Sequence, residues 1–576
     1  MSNNPTILPK DAAAAEGKVN VQINGKWYRF PKGTRIADAC NSVGVHVPCF
    51  CYHPKLSVAG SCRMCLVEQG MPPRLAPGAT PTYGEDGYQP IQWMPRAVIA
   101  CANTVAENMG IRTDAKLCNE ARRGVLEFLL TNHPLDCPIC DQAGECKLQE
   151  YTTDYGSGTH RFTEDKTKKG KNISIGPRVN LDQERCVLCR RCVRFMKEIV
   201  GEEVLGVVGR GTHNAIACYP GTSLDSNYSM NVVDICPVGA MTSKDFRFKM
   251  RVWFLKSTPT IDVNCGTGTN INIWTREQQV YRITPRQNDE VNSCWMPDSH
   301  RLNYKYINAP ERILTPLVKT DHGAPQRPST WDATLNMVVE QLHSCAPTET
   351  AIICSARMTN EELYMVRALA RQLGVTKLEI VPRKGENDGL LVSDDRNPNS
   401  NGAKLILGKN GSGLAAIRRG IKNNSIRFLI ALGEDVTEEA GIEAEDLEAL
   451  DYILAMSHSE NATTKAADVV LPGVTFAEKY GTMINVAGRI QRLNKAIEPQ
   501  GEARPDWDIL RQLTELLGCD CPRVIACPSP MIILEEMAQE FEPMKGLTWG
   551  NIGNGGIVIM DTGVTIPLIE REKAKK

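Results

Sequence analysis

Apolar and polar residues alternate at the start of the chain. Val19, Val21 and Ile23 alternate with polar neighbours, Asn24-Gly25 follows, and Lys26–Phe30 returns. That pattern predicts a hairpin closed by a type I′ turn. A short helix is expected around Arg35–Val43, then an irregular cysteine-rich loop, with strands near Cys65–Glu68 and Ala97–Val105. The period changes to that of a helix over Thr113–Thr131, where Leu117, Ala121, Val125, Phe128 and Leu129 are expected to share one face. Asn132-His133-Pro134 stops it, since proline cannot continue a helix. The lysine-rich run Asp165–Lys171 reads as an exposed linker.

From about residue 256 the texture differs. Strand-like runs at Ala351–Cys354, Leu378–Val381, Leu405–Leu407, Ile426–Leu432, Tyr452–Ala455 and Asp468–Leu471 alternate with helical ones. Those include Trp331–His343, a helix opened by the capping box Thr359…Glu362 and closed by Gly374, and Asp506–Leu517 closed by Gly518. Alternation of apolar strands with helices predicts a doubly wound α/β domain.

Composition narrows the class. With 576 residues, 42% hydrophobic and 23% charged, the chain has ample material for several cores. Lysine plus arginine (66) nearly cancels aspartate plus glutamate (67), so bulk charge gives no argument for nucleic acid or an anionic membrane. The opening MSNNPTILPKDAAAAEGK lacks an apolar core of signal-peptide length, and no stretch approaches the apolar run that spans a bilayer. A soluble, cytosolic chain is expected. The 22 cysteines then change the picture, because 15 of them fall in the first 236 residues. Without a leader, such clustering points to metal sites or catalysis rather than disulfides.

Three constellations stand out. Cys51-x10-Cys62-x2-Cys65 with a distant Cys101 suits a [2Fe–2S] cluster, in which two thiolates hold each iron; zinc or structural cysteines are the alternative, and Cys49 stands close enough to compete with Cys51. Hairpin, helix, cysteine loop and strand, in that order, make a β-grasp ferredoxin. His133-x3-Cys137-x2-Cys140-x5-Cys146 offers four ligands within 14 residues, enough to wrap one [4Fe–4S] cube, and a neutral imidazole in place of a thiolate raises its potential. Cys186-x2-Cys189-x2-Cys192 with Cys236-Pro237 is ferredoxin ligation of a second cube. A two-cluster ferredoxin would need further cysteines at Met196, Ser226, Ser229 and Val232, so one cube is expected there. Cys40, Cys118 and Cys218 remain as free, buried thiols.

The strings VPCFCYHPKLSVAGSCRMCLVE, HPLDCPICDQAGEC and DICPVGAMTSKDFRFKMRVW, in this order, closely resemble one family. It is the NuoG-type iron–sulfur subunit of respiratory NADH:quinone oxidoreductase, the seventy-five-kilodalton subunit of mitochondrial complex I. LPGVTFAEKYGTMINVAGRIQR and PDWDILRQL resemble that family's molybdopterin-oxidoreductase-like domain. The resemblance implies an electron relay in the peripheral arm, between the flavin (NADH-binding) subunit and other iron–sulfur subunits, on the cytoplasmic face of the inner membrane. It reaches the membrane only through the complex, and no nucleic acid is involved. It assigns Cys51, Cys62, Cys65 and Cys101 to the [2Fe–2S] cluster, His133, Cys137, Cys140 and Cys146 to one cube, and Cys186, Cys189, Cys192 and Cys236 to the other. The implied order is [2Fe–2S], all-cysteine cube, histidine cube, then a neighbouring subunit.

Domain boundaries follow: 18–105 for the [2Fe–2S] ferredoxin, 106–160 for the histidine-cysteine cube and 172–255 for the ferredoxin-like cube. Then come 256–312, a degenerate [4Fe–4S] domain, 313–540, the molybdopterin-oxidoreductase-like α/β domain, and 541–576, a tail. The fourth cluster of some bacterial members is expected to be absent, because Asp262, Cys265 and Thr269 stand where its first ligands would be and the distant one falls near Pro297, three residues past Cys294. An iron–sulfur subunit of a hydrogenase or formate dehydrogenase is the rival reading; the first lacks here its further cysteine sets, the second a cube introducing a molybdenum domain. No molybdenum cofactor and no NAD are expected. One string invites the opposite view: Leu405–Leu407 read as a strand, then Gly411-x-Gly413-x-x-Ala416 opening a helix, with Glu434 placed like a ribose acceptor.

Overall fold

The computed structural model describes residues 17–78, 80–321, 324–518 and 528–574; residues 1–16, most of the opening segment in which a leader would stand, lie outside them. The chain divides between Trp253 and Phe254 into two compact units.

In the first unit the hairpin forms from Lys18–Ile23 and Lys26–Pro31, with Asn24 (φ 47°) and Gly25 (φ 84°) both left-handed, as a type I′ turn requires. The helix Ile36–Ser42 presses Ile36, Ala39 and Cys40 onto Val21, Ile23, Val67 and Ile111. The expected strand at 97–105 is shorter than read: Val98–Ile99 pairs with Leu66–Met71, the chain turns away at Cys101, and Thr104 makes an isolated bridge with Arg35. The sheet is completed by Met109–Arg112, which runs parallel to Lys18–Ile23 and antiparallel to Leu66–Met71. Three other expectations need correction, two here and one in the second unit.

The helix spans Lys116–Thr131, but its buried stripe is Cys118, Arg122 and Leu126. Phe128, assigned to the apolar face, is 83% exposed. The true stripe was hidden because an arginine occupies its middle: Arg122 reaches the carbonyl of Leu66 and lies over the ring of Tyr155. The run 165–171 is not only a solvated linker either. Lys166 Nζ donates to the carbonyls of Leu130 and Thr131 at 2.8 Å each, satisfying acceptors that a helix C-terminus leaves open, and Thr167 N donates to the Asn132 side chain.

The second unit opens with an antiparallel meander, Lys256–Ile261, Asn270–Arg276 and Gln279–Pro285. Its main sheet sets five parallel strands in the order Lys377–Ile380, Thr350–Cys354, Phe428–Leu432, Tyr452–Ser457, Val469–Pro472, extended by Leu317–Val318 and Arg327–Pro328. Successive strand residues feed opposite faces. Ile352, Ile430, Leu454 and Leu471 meet the helices Trp331–Ser344, Asn360–Gln372 and Asp506–Leu516; Ile353, Leu429, Ile453 and Val470 meet Leu414–Lys422. Both faces are covered, so the sheet is doubly wound.

Leu405–Leu407 is not a strand. It ends the helix Ser400–Leu407, closed by Gly408 at φ 68°. The strand–turn–helix of a dinucleotide site is therefore missing, and the glycine turn has another client. Gly411 N and Gly413 N donate to the carboxylate of the buried Glu379, at 2.9 and 2.8 Å. Glu434 faces Arg383, whose Nη1 lies 2.8 Å from its Oε1. An internal carboxylate thus holds the N–H groups that would meet a pyrophosphate. Replacing Glu379 with alanine strands two N–H donors, so Glu379→Ala is expected to cost about 2–4 kcal/mol, read as an earlier denaturant midpoint for the second unit.

Candidate metal centres

Register brings the first ligand set together. Leu66 pairs with Ile99, and Ala100 N donates to the carbonyl of Cys65 at 2.9 Å, so Cys65 and Cys101 leave the sheet side by side. The loop carrying Cys51 and Cys62 closes over them through Gly60 and Arg63, both left-handed. The thiols of Cys101 and Cys62 hydrogen-bond to the Cys51 sulfur and pull its pKa far down; the Cys101 thiol also draws Cys65 down to about 7. Cys101 and Cys62 move up in return, as donors to that sulfur. Four sulfurs in mutual contact, three of them buried, suit a group that takes thiolates. Cys49 lies beside the set, its Sγ 3.8 Å from the carbonyl of Tyr52 and its thiol raised by burial.

The second set hangs on helix ends. His133 follows the C-cap Asn132, Cys137 opens a single turn of 3₁₀ helix, and Cys146 is the N-cap of the helix Lys147–Tyr155. Cys137, Cys140 and Cys146 face one another electrostatically, and burial raises the latter two. His133 shares two neighbours with one of them, since Asp136 and Arg185 act on both His133 and Cys140. Burial pushes its imidazole down to about 4, which keeps it neutral and a competent ligand. Around this set runs a charge network that the sequence reading missed. Arg185 grips Asp136 through two nitrogens, at 2.8 and 3.3 Å, and Lys171 lies 2.9 Å from Glu184 and 3.5 Å from both Asp136 and Asp182. The only signal for it was the lysine run itself, whose partners lie far along the chain.

The third set surrounds a single small cavity. Cys186, Cys189, Cys192 and Cys236 line it, and its other walls include Val187, Ile216, Val238 and Ala240. Leu188 and Arg190 are left-handed, and Leu188 N points at the Cys186 sulfur, 3.4 Å away. Burial raises Cys186 to about 12 and Cys189 and Cys236 to about 11, and lifts Cys192 well above its ordinary value. Four thiols, two buried and two half-buried, with no carboxylate or imidazole among the cavity's walls are a soft donor set, suited to an iron–sulfur cube. Where a second cube would sit, Met196, Ser229 and Val232 are fully buried.

Contacts link the three sets within this unit. Arg194 Nη2 donates to the carbonyl of Cys51 at 2.5 Å and to that of Cys189 at 3.3 Å, joining the first set to the third. A methyl group built on Gly239, in the loop after Cys236, would lie 2.4 Å from the Cys140 sulfur, so the loop that follows the third set packs against the second. Among the described residues no three His, Cys, Asp or Glu side chains close around a single metal ion.

At the fourth position, in the second unit, the side chains pair with groups of the protein itself. Asp262 pairs with His300 Nδ1 at 2.7 Å and accepts from Asn264, and Cys265 points its thiol at the carbonyl of Leu391. Cys294 is half-buried, and Pro297 caps the helix Asp298–Leu302.

Known proteins carry the same succession. The family model described as "2Fe-2S iron-sulfur cluster binding domain" matches residues 16–116, and "NADH-ubiquinone oxidoreductase-G iron-sulfur binding region" matches 122–161. "NADH-quinone oxidoreductase subunit 3, ferredoxin-like domain" matches 176–242, "NADH-ubiquinone oxidoreductase NDSU1/NuoG-like, 4Fe-4S domain" 255–305, and "Molybdopterin oxidoreductase" 396–516. The NADH-ubiquinone oxidoreductase 75 kDa subunit of Reclinomonas americana is 31% identical over 88% of this chain and 89% of its own length. The mitochondrial 78 kDa subunit of Neurospora crassa is 31% identical, covering 88% and 82%. That of Candida albicans is 30% identical, covering 88% and 83%. By succession of domains and by identity over most of its length, the chain belongs to the family of NuoG-like subunits of NADH-quinone oxidoreductase and the mitochondrial 75–78 kDa subunits.

Proposed function

We propose that this chain relays electrons in the peripheral arm of an NADH:quinone oxidoreductase, from a flavin-bearing subunit toward the quinone site, through one [2Fe–2S] and two [4Fe–4S] clusters. Cys51, Cys62, Cys65 and Cys101 hold the first, Cys186, Cys189, Cys192 and Cys236 the all-cysteine cube, and His133, Cys137, Cys140 and Cys146 the other cube. The observation that carries this reading is the chain of contact between the sets, first to third through Arg194 and third to second through Gly239. It supports a relay in which the histidine cube comes last.

The clusters supply one-electron redox chemistry; the chain supplies position, charge and exclusion of water. Burial keeps the third set dry, while the hydrogen bond of Leu188 N to the Cys186 sulfur favours the thiolate form. Arg185 and Lys171 pair with Asp136, Asp182 and Glu184, two cations against three carboxylates, so most of the negative charge beside His133 is compensated. Cys137 is exposed, and Leu135 and Ile139 beside it are 69% and 66% exposed. An exposed ligand with apolar neighbours supports an exit there to a further iron–sulfur subunit.

The second unit is, in this reading, a buttress that binds neither nicotinamide nor molybdenum, and the Glu379 carboxylate in the glycine turn supports the first part. The Asp262–His300 pair supports the absence of a fourth cluster. Among the described residues no helix is long and apolar enough to cross a membrane, in keeping with attachment to the cytoplasmic face of the inner membrane through partner subunits.

Two substitutions test the ligand assignments. Cys51→Ser is expected to erase the [2Fe–2S] signal in electron paramagnetic resonance of the reduced protein, while Cys49→Ser leaves it; the reverse would shift the ligand register by two residues. His133→Cys is expected to retain a cube while lowering its midpoint potential on the order of 100 mV, because a thiolate adds negative charge. Redox titration followed by resonance reads the shift, and an unchanged potential removes His133 from the iron.

A further inference from the structure

The helix Arg191–Phe195, which carries Cys192, and the π-helical turn Met196–Val200 that continues it hold the loop of the first ligand set with three side chains, Arg191, Arg194 and Glu198. Arg191 Nη2 donates to the carbonyl of Tyr52, and its Nη1 to that of Ile235 at 3.1 Å, next to Cys236. Glu198 accepts from the amide of Ser57 at 2.8 Å and from its hydroxyl. Arg194 does the most. Its Nη1 donates to the carbonyl of Ser57, its Nε to that of Arg190 at 3.2 Å, and its Nη2 to both Cys51 and Cys189.

That last nitrogen is unlike the others. Cys51 and Cys189 belong to different ligand sets, and one guanidinium nitrogen hydrogen-bonds the main chain of both. From the Cys51 sulfur to the Cys189 sulfur there is then a path of covalent bonds interrupted by two hydrogen bonds and by no through-space gap. The planar fork, charged at every accessible pH, also fixes the separation of the two loops more firmly than a flexible lysine would. Glu198 and Arg191 clasp the same loop, but neither touches a ligand's carbonyl in both sets.

We propose that Arg194 is a positioning residue for electron transfer between the first and third ligand sets. It holds the two loops at fixed distance and couples them through its Nη2. The step it serves is a one-electron exchange: the [2Fe–2S] cluster is oxidised by one electron, the all-cysteine cube is reduced by one, and no bond or proton moves. This inference rests on the ligand assignments proposed above.

The test uses the assembled complex, reduced rapidly with NADH, frozen at intervals and read by electron paramagnetic resonance at both clusters. Arg194→Met is expected to keep both signals and both midpoint potentials while slowing transfer from the first cluster to the cube at least tenfold. Arg194→Lys, which retains one nitrogen and the charge, is expected to slow it about threefold. Glu198→Gln loosens the same loop without touching the bridge and is expected to transfer at the wild-type rate. Wild-type transfer in Arg194→Met, or equal slowing in Glu198→Gln, would overturn the proposal. If Arg194→Met sheds a cluster, Arg194→Lys decides: slowed transfer with both signals intact supports it, and wild-type transfer overturns it. A wild-type complex lacking one of the two signals would instead refute the ligand assignments and is distinguishable at the start.

Discussion

A sulfur atom withdrawn from water resists ionisation, and this unit withdraws many of them. Cys186, Cys189, Cys192 and Cys236 are held as thiols chiefly by burial, which raises Cys186 to about 12, Cys189 and Cys236 to about 11, and Cys192 well above its ordinary value. Only a cationic core placed among them turns that cost into a bond, and binding then drives the protons off. The first set meets the same constraint differently. Its thiols donate to one another, which draws the Cys51 pKa down and pushes those of Cys101 and Cys62 up. The ligand loops, the strand pairing that presents them and the arginines around them serve this requirement.

Those arginines and lysines explain how several negatively charged groups can share one small unit. Arg185 and Lys171 are spent on the carboxylates flanking the second set, and Arg191 and Arg194 on main-chain carbonyls beside the first and third. Charge-assisted hydrogen bonds of this kind are stronger than neutral ones and fix geometry as well as charge. The second unit answers to ordinary packing instead, with apolar strands covered on both faces and a glycine turn satisfied by its own glutamate.

Much of this was legible in the sequence because the signals were local. Asn24-Gly25 can only close a tight hairpin, Thr359 with Glu362 can cap a helix, and cysteine spacing needs no partner to be read. The misreadings share a cause: long-range contact decided them. Leu405–Leu407 is as apolar as a strand, and only its place beside the sheet makes it the end of a helix. The buried stripe through Arg122 is disguised by a charge whose partners, Leu66 and Tyr155, lie far away in sequence. The run at 165–171 faces water in part, as its polarity suggests, but it also satisfies helix carbonyls and acidic side chains. The bridge through Arg194 joins residues 143 positions apart, beyond any local pattern.

The central claim is that three sets of ligands, and no fourth, hold clusters in this chain. Iron and acid-labile sulfide, counted in the purified chain alongside resonance of its dithionite-reduced form, test it most directly. Ligation of this kind corresponds to about ten irons, with one [2Fe–2S] signal and two distinct [4Fe–4S] signals. About fourteen irons with a third cubane signal would contradict the reading of Asp262 and His300, and zinc without visible absorbance would contradict the account as a whole.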